Sequence, residues 1–419
     1  MAKGVKVHVL KVGQGMGNFI QVFGNGLDKA PTNSMIFDLG SEKGKTRFTP
    51  IAVNIIIKNL LKMDPPRKLD MIVFSHGDKD HWNIFRDLII KCSKDVAFLQ
   101  YGEVYFGGTR DQYSCTISRK KYNILDDLER NGADVQDQFI NAYNSFDTKL
   151  IDDTWPVLAN FNGFKVRILM SNVDNGIVLN DPGTETEFTN KNSVSAVLVC
   201  EYAGKRFIFS GDATGLTVKM INELIKTRKI EDQVNNTFML VTPHHGSAVT
   251  LKYGKDPFEP AKTFASYCDA ECISASADFR TGFYHPDIEV LEIFAEAKLR
   301  KVAPMLIENG GYTPPLVEDE YPKHLFTAYD SKGWRSFSTE DNVFTTYYSL
   351  TESCDWIFTV DENGTMTIER NPSTALGNVK ASSRVLAAIN KKRPPGSNTS
   401  NGSSKKPKPG KYNKPLSYK

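Results

Sequence analysis

Four side chains that can bind metal ions lie within six residues of one another, directly after an apolar segment. The stretch is "IVFSHGDKDHWNIF", residues 72–85, and the four side chains are those of His76, Asp78, Asp80 and His81. Imidazole and carboxylate are the nitrogen and oxygen ligands that zinc and manganese use. A bound cation offsets the desolvation and repulsion that such crowding costs, and the spacing suits two ions about 3.5–4 Å apart. The alternative is a polar loop that caps the next helix and leaves its acids in solvent.

Further residues of the same types follow other predicted strands. The segment "IFSGDA" places Asp212 just past one strand, and "VTPHHGS" places His244 and His245 just past the next. Taken alone, an acid or a histidine pair after a strand is typical of an ordinary polar turn. Because α/β folds put functional groups at strand ends, however, we expect these residues to converge with the first cluster. Asp212 would then be placed to bridge two ions.

The spacing of apolar residues predicts two halves of similar plan. In the first half, alternating segments predict the strands "VKVHVLKVG", "NFIQVFGNG" and "SMIFDLG", followed by a helix, the buried strand "KLDMIVFS" and the helix "HWNIFRDLIIK". In the second half, the pattern predicts the strand "FKVRILMSN", the hairpin "SVSAVLVCEYAGKRFIFSGDA", the amphipathic helix "LTVKMINELIKTRKI" and the strand "TFMLVTPHHGS". Residues about 95–160 fit this plan poorly and are interpreted as an insertion. Short β segments between 325 and 370 would either extend the sheet or form a small cap.

The composition is that of an ordinary globular protein of 419 residues, with 40% hydrophobic and 24% charged residues. No apolar run approaches the roughly 18 residues needed to cross a bilayer, and the first residues lack the apolar segment of a signal peptide. The six cysteines show no disulfide-framework spacing, which is typical of a reducing compartment. We therefore expect a cytoplasmic protein with no membrane partner, whose oligomeric state the sequence leaves open.

The formal net charge of +3 conceals a strongly basic C-terminal end. Residues 380–419 contain 11 Lys and Arg and no acid, which leaves 41 basic and 49 acidic residues, a charge of −8, in residues 1–379. The end is rich in Pro, Gly, Ser and Lys, a composition typical of disordered segments. It is either a solubilising extension or an arm that contacts nucleic acid.

Seven motifs resemble those of the metallo-β-lactamase-fold hydrolases. In chain order they are "LKVGQG", "IFDLG", "SHGDKDH", "NSVSAVLV", "FSGDA", "PHHGS" and "GFYHPDIEVL". Together they span roughly residues 5–295 and are most similar to the subgroup typified by the cytoplasmic hydrolase domain of the DNA-uptake channel ComEC. The resemblance implies an α/β (α+β) fold, a four-layer αββα sandwich with a dinuclear metal site at one edge of its paired sheets.

This resemblance and the composition predict the domain organisation. We expect a hydrolase domain at residues 1–320 with the insertion at about 95–160, a small β-rich extension at 321–375, and a disordered basic tail at 376–419. Unlike ComEC, the chain has no predicted membrane channel, so DNA import is not implied.

The resemblance also implies six ligands for two divalent ions, zinc or manganese. They are His76, Asp78, Asp80, His81, Asp212 and His245. The first two would bind one ion, the next two the other, and Asp212 would bridge both. His244 would contact the substrate and take part in catalysis with Asp80 and Asp212.

Two further residues match motifs of the family outside the ligand set. Asp38, in "FDLG", would lie beside the pocket and support the segment "SHGDKDH", residues 75–81, which we call the metal loop. His285, in the His-Pro motif, would line the pocket, and its alternative is a solvated turn before a helix.

Three departures from the family pattern bear on the metal site. Asp78 stands where the wider family has a second histidine, which gives a more oxygen-rich site and weakens the preference for zinc over manganese. No histidine lies between His81 and His244, so the third-motif histidine of the wider family is absent. Met16 stands where the subgroup has an acid, in "GQGM" instead of "GQGD".

The expected function is hydrolysis of phosphodiester bonds, most simply a nuclease-type activity on nucleic acid with water activated by two metal ions. Three alternatives stay open on the residues alone. The substrate could be a small phosphodiester or a phosphocholine ester, or a carbon ester, thioester or lactam. The chain could instead be a binding or effector subunit with a weakened metal site that acts through a protein partner.

Overall fold

The computed structural model describes residues 3–42, 49–96, 99–137, 155, 157–173, 192–277, 286–296, 307–309, 324–330, 333–338, 343–345 and 354–372. Residues 138–154 of the predicted insertion, His285 and the whole of the predicted tail lie outside these ranges. Among the described helices, none is long and apolar enough to cross a bilayer.

Twenty strands lie in the described ranges. In chain order they are β1 (Gly4–Val9), β2 (Gly17–Phe23), β3 (Asn33–Leu39), β4 (Lys68–Phe74), β5 (Gln100–Phe106), β6 (Ser114–Ile117), β7 (Lys120–Asn123), β8 (Asp134–Val135), β9 (Val157–Phe161), β10 (Phe164–Met170), β11 (Val197–Tyr202), β12 (Lys205–Phe209), β13 (Thr237–Val241), β14 (Cys272–Ala275), β15 (Ile307–Asn309), β16 (His324–Asp330), β17 (Gly333–Ser338), β18 (Val343–Thr345), β19 (Cys354–Asp361) and β20 (Met366–Pro372).

The described helices are α1 (Thr49–Leu60), α2 (Phe85–Asp95), α3 (Ile124–Arg130), α4 (Gly215–Arg228), α5 (Ala248–Leu251), α6 (Glu259–Cys268) and α7 (Ile288–Glu296). The segment predicted as one helix from His81 is divided. A short 3-10 helix spans Lys79–His81, and α2 begins only at Phe85.

Two large sheets contain most of these strands. The first has the order β15-β20-β19-β1-β2-β3-β4-β5-β8, and the second has the order β18-β14-β13-β12-β11-β10-β9. In the first sheet β1 to β3 are antiparallel, whereas β3, β4, β5 and β8 are parallel. In the second, β9 to β12 are antiparallel, and β12, β13, β14 and β18 are parallel. The loops with the predicted ligands therefore follow parallel strands β4, β12 and β13, at the carboxyl ends where α/β folds place their sites.

The two sheets pack face to face, with helices on both outer faces. Phe37 on β3 meets Phe209 on β12 between the sheets, with ring centroids 5.3 Å apart. Because successive strand residues point to opposite faces, Ile36 points the other way and packs with residues of α1 and α2. Helices α4, α6 and α7 cover the second sheet. The predicted four-layer αββα fold is confirmed, and burial on both faces explains why the parallel strands are apolar throughout.

The last described strands belong to the first sheet. Strand β19 pairs with β1 in antiparallel register, and β20 pairs with β19. Phe358 of β19 is fully buried and packs edge-on against Phe238 of the second sheet, with ring centroids 5.8 Å apart. Strands β16 and β17 form a separate two-stranded sheet. The predicted domain boundaries near residues 320 and 375 stay predictions.

Part of the predicted insertion is described. Strands β5 and β8 continue the first sheet in parallel, α3 lies between β7 and β8 in the chain, and the hairpin β6–β7 forms a separate two-stranded sheet. Residues 138–154 lie outside the described ranges, so the boundaries of the insertion also stay predictions.

The N-terminal glycine motif holds the metal loop against the first sheet. The backbone N–H of Met16 donates to the carbonyl of Asp80 at 3.0 Å, and that of Gly40 donates to the carbonyl of Met16 at 2.9 Å. A Cβ on Gly15 would lie 2.3 Å from the Gly40 oxygen, so only glycine fits this approach. The Met16 side chain is fully buried in the core between the sheets, where an acid would be desolvated.

Candidate metal centre

The metal loop brings two imidazoles together directly after β4. His76 and His81 are both buried, and their ring centroids lie 4.2 Å apart. A 3-10 turn spans Lys79–His81 and so includes the second histidine. Ser75 Oγ lies 3.1 Å from Nδ1 of each ring, so both rings direct Nε2 towards the centre of the site.

Asp212 lies at the centre of this arrangement. It follows β12 and is almost completely buried, and Gly211 before it has a φ of +50°. Four imidazole nitrogens lie within 3.1–3.7 Å of its carboxylate oxygens. Those nitrogens belong to His76, His81, His244 and His245.

The two oxygens of Asp212 face different pairs of histidines. Oδ2 lies 3.7 Å from His76 Nε2 and 3.6 Å from His244 Nδ1. Oδ1 lies 3.1 Å from His81 Nε2 and 3.5 Å from His245 Nε2. A carboxylate in this position can contribute one oxygen to each of two cation sites.

The two predicted acids of the metal loop, Asp78 and Asp80, lie on opposite sides of Asp212. Asp78 Oδ2 lies 3.7 Å from His76 Nε2, on the Oδ2 side of Asp212. Asp80 Oδ2 lies 3.6 Å from His245 Nε2, on the Oδ1 side. The structure thus places His76 with Asp78, and Asp80 with His245. Their side chains are 44% and 21% exposed, so both acids face the opening of the site.

The histidine pair after β13 has a constrained backbone. His244 and His245 have φ values of +46° and +54°, in the left-handed region that non-glycine residues rarely adopt. This conformation sends the two rings in different directions, with an interplanar angle of 86°. Such strain is typical of functional sites and is maintained only by surrounding contacts.

The contacts of the two rings differ. His245 donates from Nδ1 to the carbonyl of Ser276 at 2.8 Å, and the Ser276 hydroxyl donates to the Gly15 carbonyl at 2.7 Å. His244 instead turns Nδ1 towards Asp212 and receives a hydrogen bond there from the Asn192 amide at 3.0 Å. Three of the four imidazoles therefore present Nε2 to Asp212, and His244 alone among them presents Nδ1.

Asp38 supports the loop from behind. It is fully buried with a φ of +57°, and its Oδ1 accepts the backbone N–H of Ser75 at 2.7 Å. Its Oδ2 accepts the Nδ1–H of His81 at 2.8 Å. This is the carboxylate–histidine pairing that fixes the tautomer and orientation of metal-binding imidazoles.

The charges of the site are strongly coupled. Burial would raise the pKa of Asp212, but the neighbouring imidazoles outweigh it and hold this pKa well below its usual range. Burial would lower the pKa of His81, yet Asp212 and Asp38 on its two sides raise it well above the usual value. Burial lowers the pKa of His244 to about 4, so this imidazole is neutral at pH 7. The Asp212 carboxylate therefore stays ionised and can serve as a ligand.

The donor atoms fit a divalent cation. Four buried atoms of the imidazoles and of Asp212 take no hydrogen bond of acceptable geometry: His76 Nε2, His81 Nε2, His245 Nε2 and Asp212 Oδ1. His81 Nε2 is only 3.1 Å from Asp212 Oδ1, but the angle does not suit a hydrogen bond. Such unsatisfied polar atoms are costly unless a further partner binds them.

Two overlapping groups of three residues have ligand atoms within 4.8 Å of one another. They are His76, His81 and Asp212, and Asp80, His81 and His245. His81 belongs to both groups. The site can hold metal.

A cleft of about 560 Å³ opens at the metal loop. It is lined by Glu42, His76, Gly77, Asp78, Lys79, Asp80 and Gln112. The site therefore connects to an opening large enough for a small organic ligand. His285, predicted to line the pocket, lies outside the described residues.

Sequence reasoning did not assign roles to Asn192, Ser75 or Ser276. Asn192 and Ser75 lie inside quoted motifs, "NSVSAVLV" and "SHGDKDH", so position in a motif was the available signal. Ser276 acts on His245 through its backbone carbonyl, which any residue type has.

No protein-family model and no curated protein matches the sequence. Among solved structures, the chain is similar to the short form of human tRNase Z, with 12% identity, a TM-score of 0.30 and coverage of 64% of this chain and 90% of that one. It is also similar to unliganded yeast PDE1, with 7% identity, a TM-score of 0.37 and coverage of 71% and 95%. For the long form of yeast RNase Z, the identity is 12%, the TM-score 0.33 and the coverage 67% and 38%.

These three are hydrolases of the metallo-β-lactamase fold. At such identities and TM-scores the likeness concerns the arrangement of sheets and helices, and the ComEC-type subgroup stays a prediction.

Proposed function

We propose that the chain is a metal-dependent hydrolase of phosphodiester bonds whose substrate is nucleic acid. The observation that carries the proposal is the position of Asp212, with one carboxylate oxygen against His76 and His244 and the other against His81 and His245. A buried carboxylate with a different imidazole pair at each oxygen is suited to bridging two cations.

The residues that would hold the ions fall on the two sides of Asp212. His76 and Asp78 would serve the Oδ2 side, and Asp80, His81 and His245 the Oδ1 side. Bound divalent cations, zinc or manganese, would supply Lewis acidity and lower the pKa of water toward neutrality.

The acidic lining of the cleft supports the proposal that an anionic substrate binds only when cations are present. Among the residues that line it, Glu42, Asp78 and Asp80 are acidic and Lys79 is basic. Without cations this surface would repel a phosphodiester, and with them its net charge would become favourable. Phosphodiester hydrolysis by paired cations has this requirement.

His244 would act on the substrate rather than on a metal ion. Because the Asn192 amide donates to Nδ1, the ring proton resides on Nε2, and the lowered pKa keeps the ring neutral. A neutral imidazole with a fixed Nε2–H can donate a hydrogen bond to a substrate oxygen.

Hydrolysis of bis-p-nitrophenyl phosphate tests the reaction. The full-length chain loaded with Mn²⁺ or Zn²⁺ should release p-nitrophenol, and Asp212→Ala should abolish this release. Asp70→Ala is the control, because Asp70 is a half-buried acid on β4 of the first sheet that accepts the backbone N–H of Ser34 at 2.9 Å, away from the site. Equal turnover by Asp212→Ala and the wild type would rule out the mechanism.

A binding or effector subunit with a weakened metal site is the second candidate, because the third-motif histidine is absent. Metal content separates it from an enzyme. About one ion or none per chain, with no hydrolysis of a panel that includes a small phosphodiester, a phosphocholine ester, a lactam and a thioester, would favour the binding role. Two ions per chain with phosphodiester hydrolysis would favour the enzyme.

Nucleic acid as the partner is supported by the 11 basic residues of 380–419 against a charge of −8 in residues 1–379. Phosphate contacts of Lys and Arg release counterions, so their loss weakens binding and flattens its salt dependence. Truncation after residue 379 should lower the affinity for single-stranded DNA and RNA and reduce the slope of log K against log salt. Unchanged affinity and slope would remove the tail from the proposal.

A further inference from the structure

Asn192 lies at the Oδ2 side of Asp212 with half of its carboxamide unused. The residue is fully buried just before β11, and its Nδ2 donates to His244 Nδ1 at 3.0 Å. Its Oδ1 is also buried and has no hydrogen-bond partner among the described residues. A buried amide oxygen without a partner costs free energy, on the order of 1–3 kcal/mol, unless something else binds it.

The two sides of Asp212 are otherwise unequal. The Oδ1 side has Asp80, His81 and His245. On the Oδ2 side, His76 and the partly exposed Asp78 are the remaining donors, since His244 Nδ1 already accepts the hydrogen bond from Asn192. The side that is short of a donor is the side where Asn192 is anchored.

We propose that Asn192 Oδ1 is a metal ligand on the Oδ2 side of Asp212, in place of the histidine that the sequence lacks between His81 and His244. The inference rests on the proposed function, because it deepens the description of the same site. Asn192 then has two tasks, since one amide atom fixes the His244 tautomer and the other binds the cation. Amide oxygens are hard donors. A site made of oxygens from Asp78, Asp212 and Asn192 and one imidazole would therefore favour manganese more strongly than a softer, nitrogen-rich site would.

Metal binding, measured without reference to catalysis, tests this ligand. Asn192→Ala should weaken one of two Mn²⁺ sites at least tenfold, as seen by metal content after dialysis and by manganese paramagnetic resonance. Asn192→His should restore a full complement of ions and move the preference from manganese towards zinc. Asn222→Ala is the matched control. Asn222 is also a buried asparagine with an unpartnered Oδ1, and it donates to the Pro260 carbonyl at 2.8 Å in the helical layer.

Three outcomes decide between the proposals. If wild type and Asn192→Ala bind two Mn²⁺ ions with equal affinity, Asn192 only positions His244 and the inference fails alone. If the wild type binds no metal, both the inference and the proposed function fail. If Asn222→Ala loses metal as strongly as Asn192→Ala, the loss reflects general destabilisation and the inference is also overturned.

Discussion

Asp38 near the end of β3 and His81 in the 3-10 turn after β4 form a hydrogen bond of 2.8 Å, with the imidazole Nδ1–H donating to the carboxylate. The bond leaves His81 Nε2 directed at Asp212, 3.1 Å away. Because the second oxygen of Asp38 accepts the Ser75 N–H, the same carboxylate also fixes the start of the metal loop. Asp38 therefore positions His81, and under the proposed function it would act on bound metal only through this imidazole.

Asp38→Asn should weaken metal binding by about 10–100-fold, because an amide at this place no longer enforces the Nδ1–H tautomer of His81. Titration with Zn²⁺ and Mn²⁺ measures the effect, and the metal-free variant should retain the far-ultraviolet dichroism of the wild type. Asp70→Asn, which also removes a charge that accepts a backbone N–H on the first sheet, serves as control. Equal affinity in both variants would mean that Asp38 does not orient His81.

Local sequence patterns were sufficient to find the residues that the structure brings together around Asp212. Four candidate ligands within residues 76–81 are improbable in an ordinary loop, and strand-end placement identified Asp212 and the histidine pair. The apolar periodicity predicted strands and helices in two halves of similar plan, whereas the four-layer αββα sandwich was predicted from the resemblance to the metallo-β-lactamase-fold hydrolases. Strands buried on both faces agree with that sandwich, because they need helices on the outside of each sheet.

Other features depend on contacts that no local pattern contains. Strand β19 reaches β1 across about 350 residues, and the Lys11 N–H donates to Asp355 at 2.6 Å. The hydrogen bond from the Asn192 amide to His244 joins residues 52 positions apart in the chain, so a local pattern could not predict it. Met16, which departs from the family motif, contributes through its backbone N–H and an apolar side chain, and both are independent of the expected acid.

The buried acid Asp355 should make stability depend on pH. Burial raises its pKa from 3.8 to about 7, although the Lys11 N–H and charge oppose the shift. The folded chain therefore binds more protons than the unfolded chain between about pH 4 and pH 7, and its stability falls as pH rises through this window. Asp355→Asn should remove the fall, so that the variant gains up to about 4 kcal/mol relative to wild type on going from pH 4 to pH 8.

Denaturant unfolding at several pH values gives this difference directly. The comparison with the variant is needed because the buried His8, whose pKa burial lowers to about 4, contributes a slope of opposite sign between pH 4 and 6.5. A constant difference between Asp355→Asn and wild type across the range would show that Asp355 is not perturbed in the folded chain.

Phe358→Ala should destabilise the whole molecule, by about 3–5 kcal/mol. Phe358 lies on β19, is fully buried, and packs against Phe238 of the second sheet. Thermal unfolding of this variant should show one transition at a lower temperature than in the wild type. Val157→Ala is the control, and its transition temperature should stay close to that of the wild type because Val157 is 49% exposed. A main transition that does not move would instead support residues 321–375 as an accessory unit outside the hydrolase domain.

Gly211→Ala should cost more stability than Gly204→Ala, although both glycines have positive φ and flank the same strand, β12. Gly204 has a φ of +74° and no atom within 4 Å of an added Cβ, so alanine there should cost only the conformational term of about 1–2 kcal/mol. Gly211 has a φ of +50°, and its Cβ would lie 2.5 Å from the Ser75 Cβ, which adds roughly 1–3 kcal/mol.

The clash at Gly211 also has a consequence at the site. Since Ser75 holds both His76 and His81 through Nδ1, moving it should weaken metal binding in Gly211→Ala and leave it unchanged in Gly204→Ala. Chemical denaturation of the metal-free variants and metal titration of the folded ones measure the two effects separately. If both variants lost the same stability and bound metal equally well, the close approach of β12 to the metal loop would have no part in building the site.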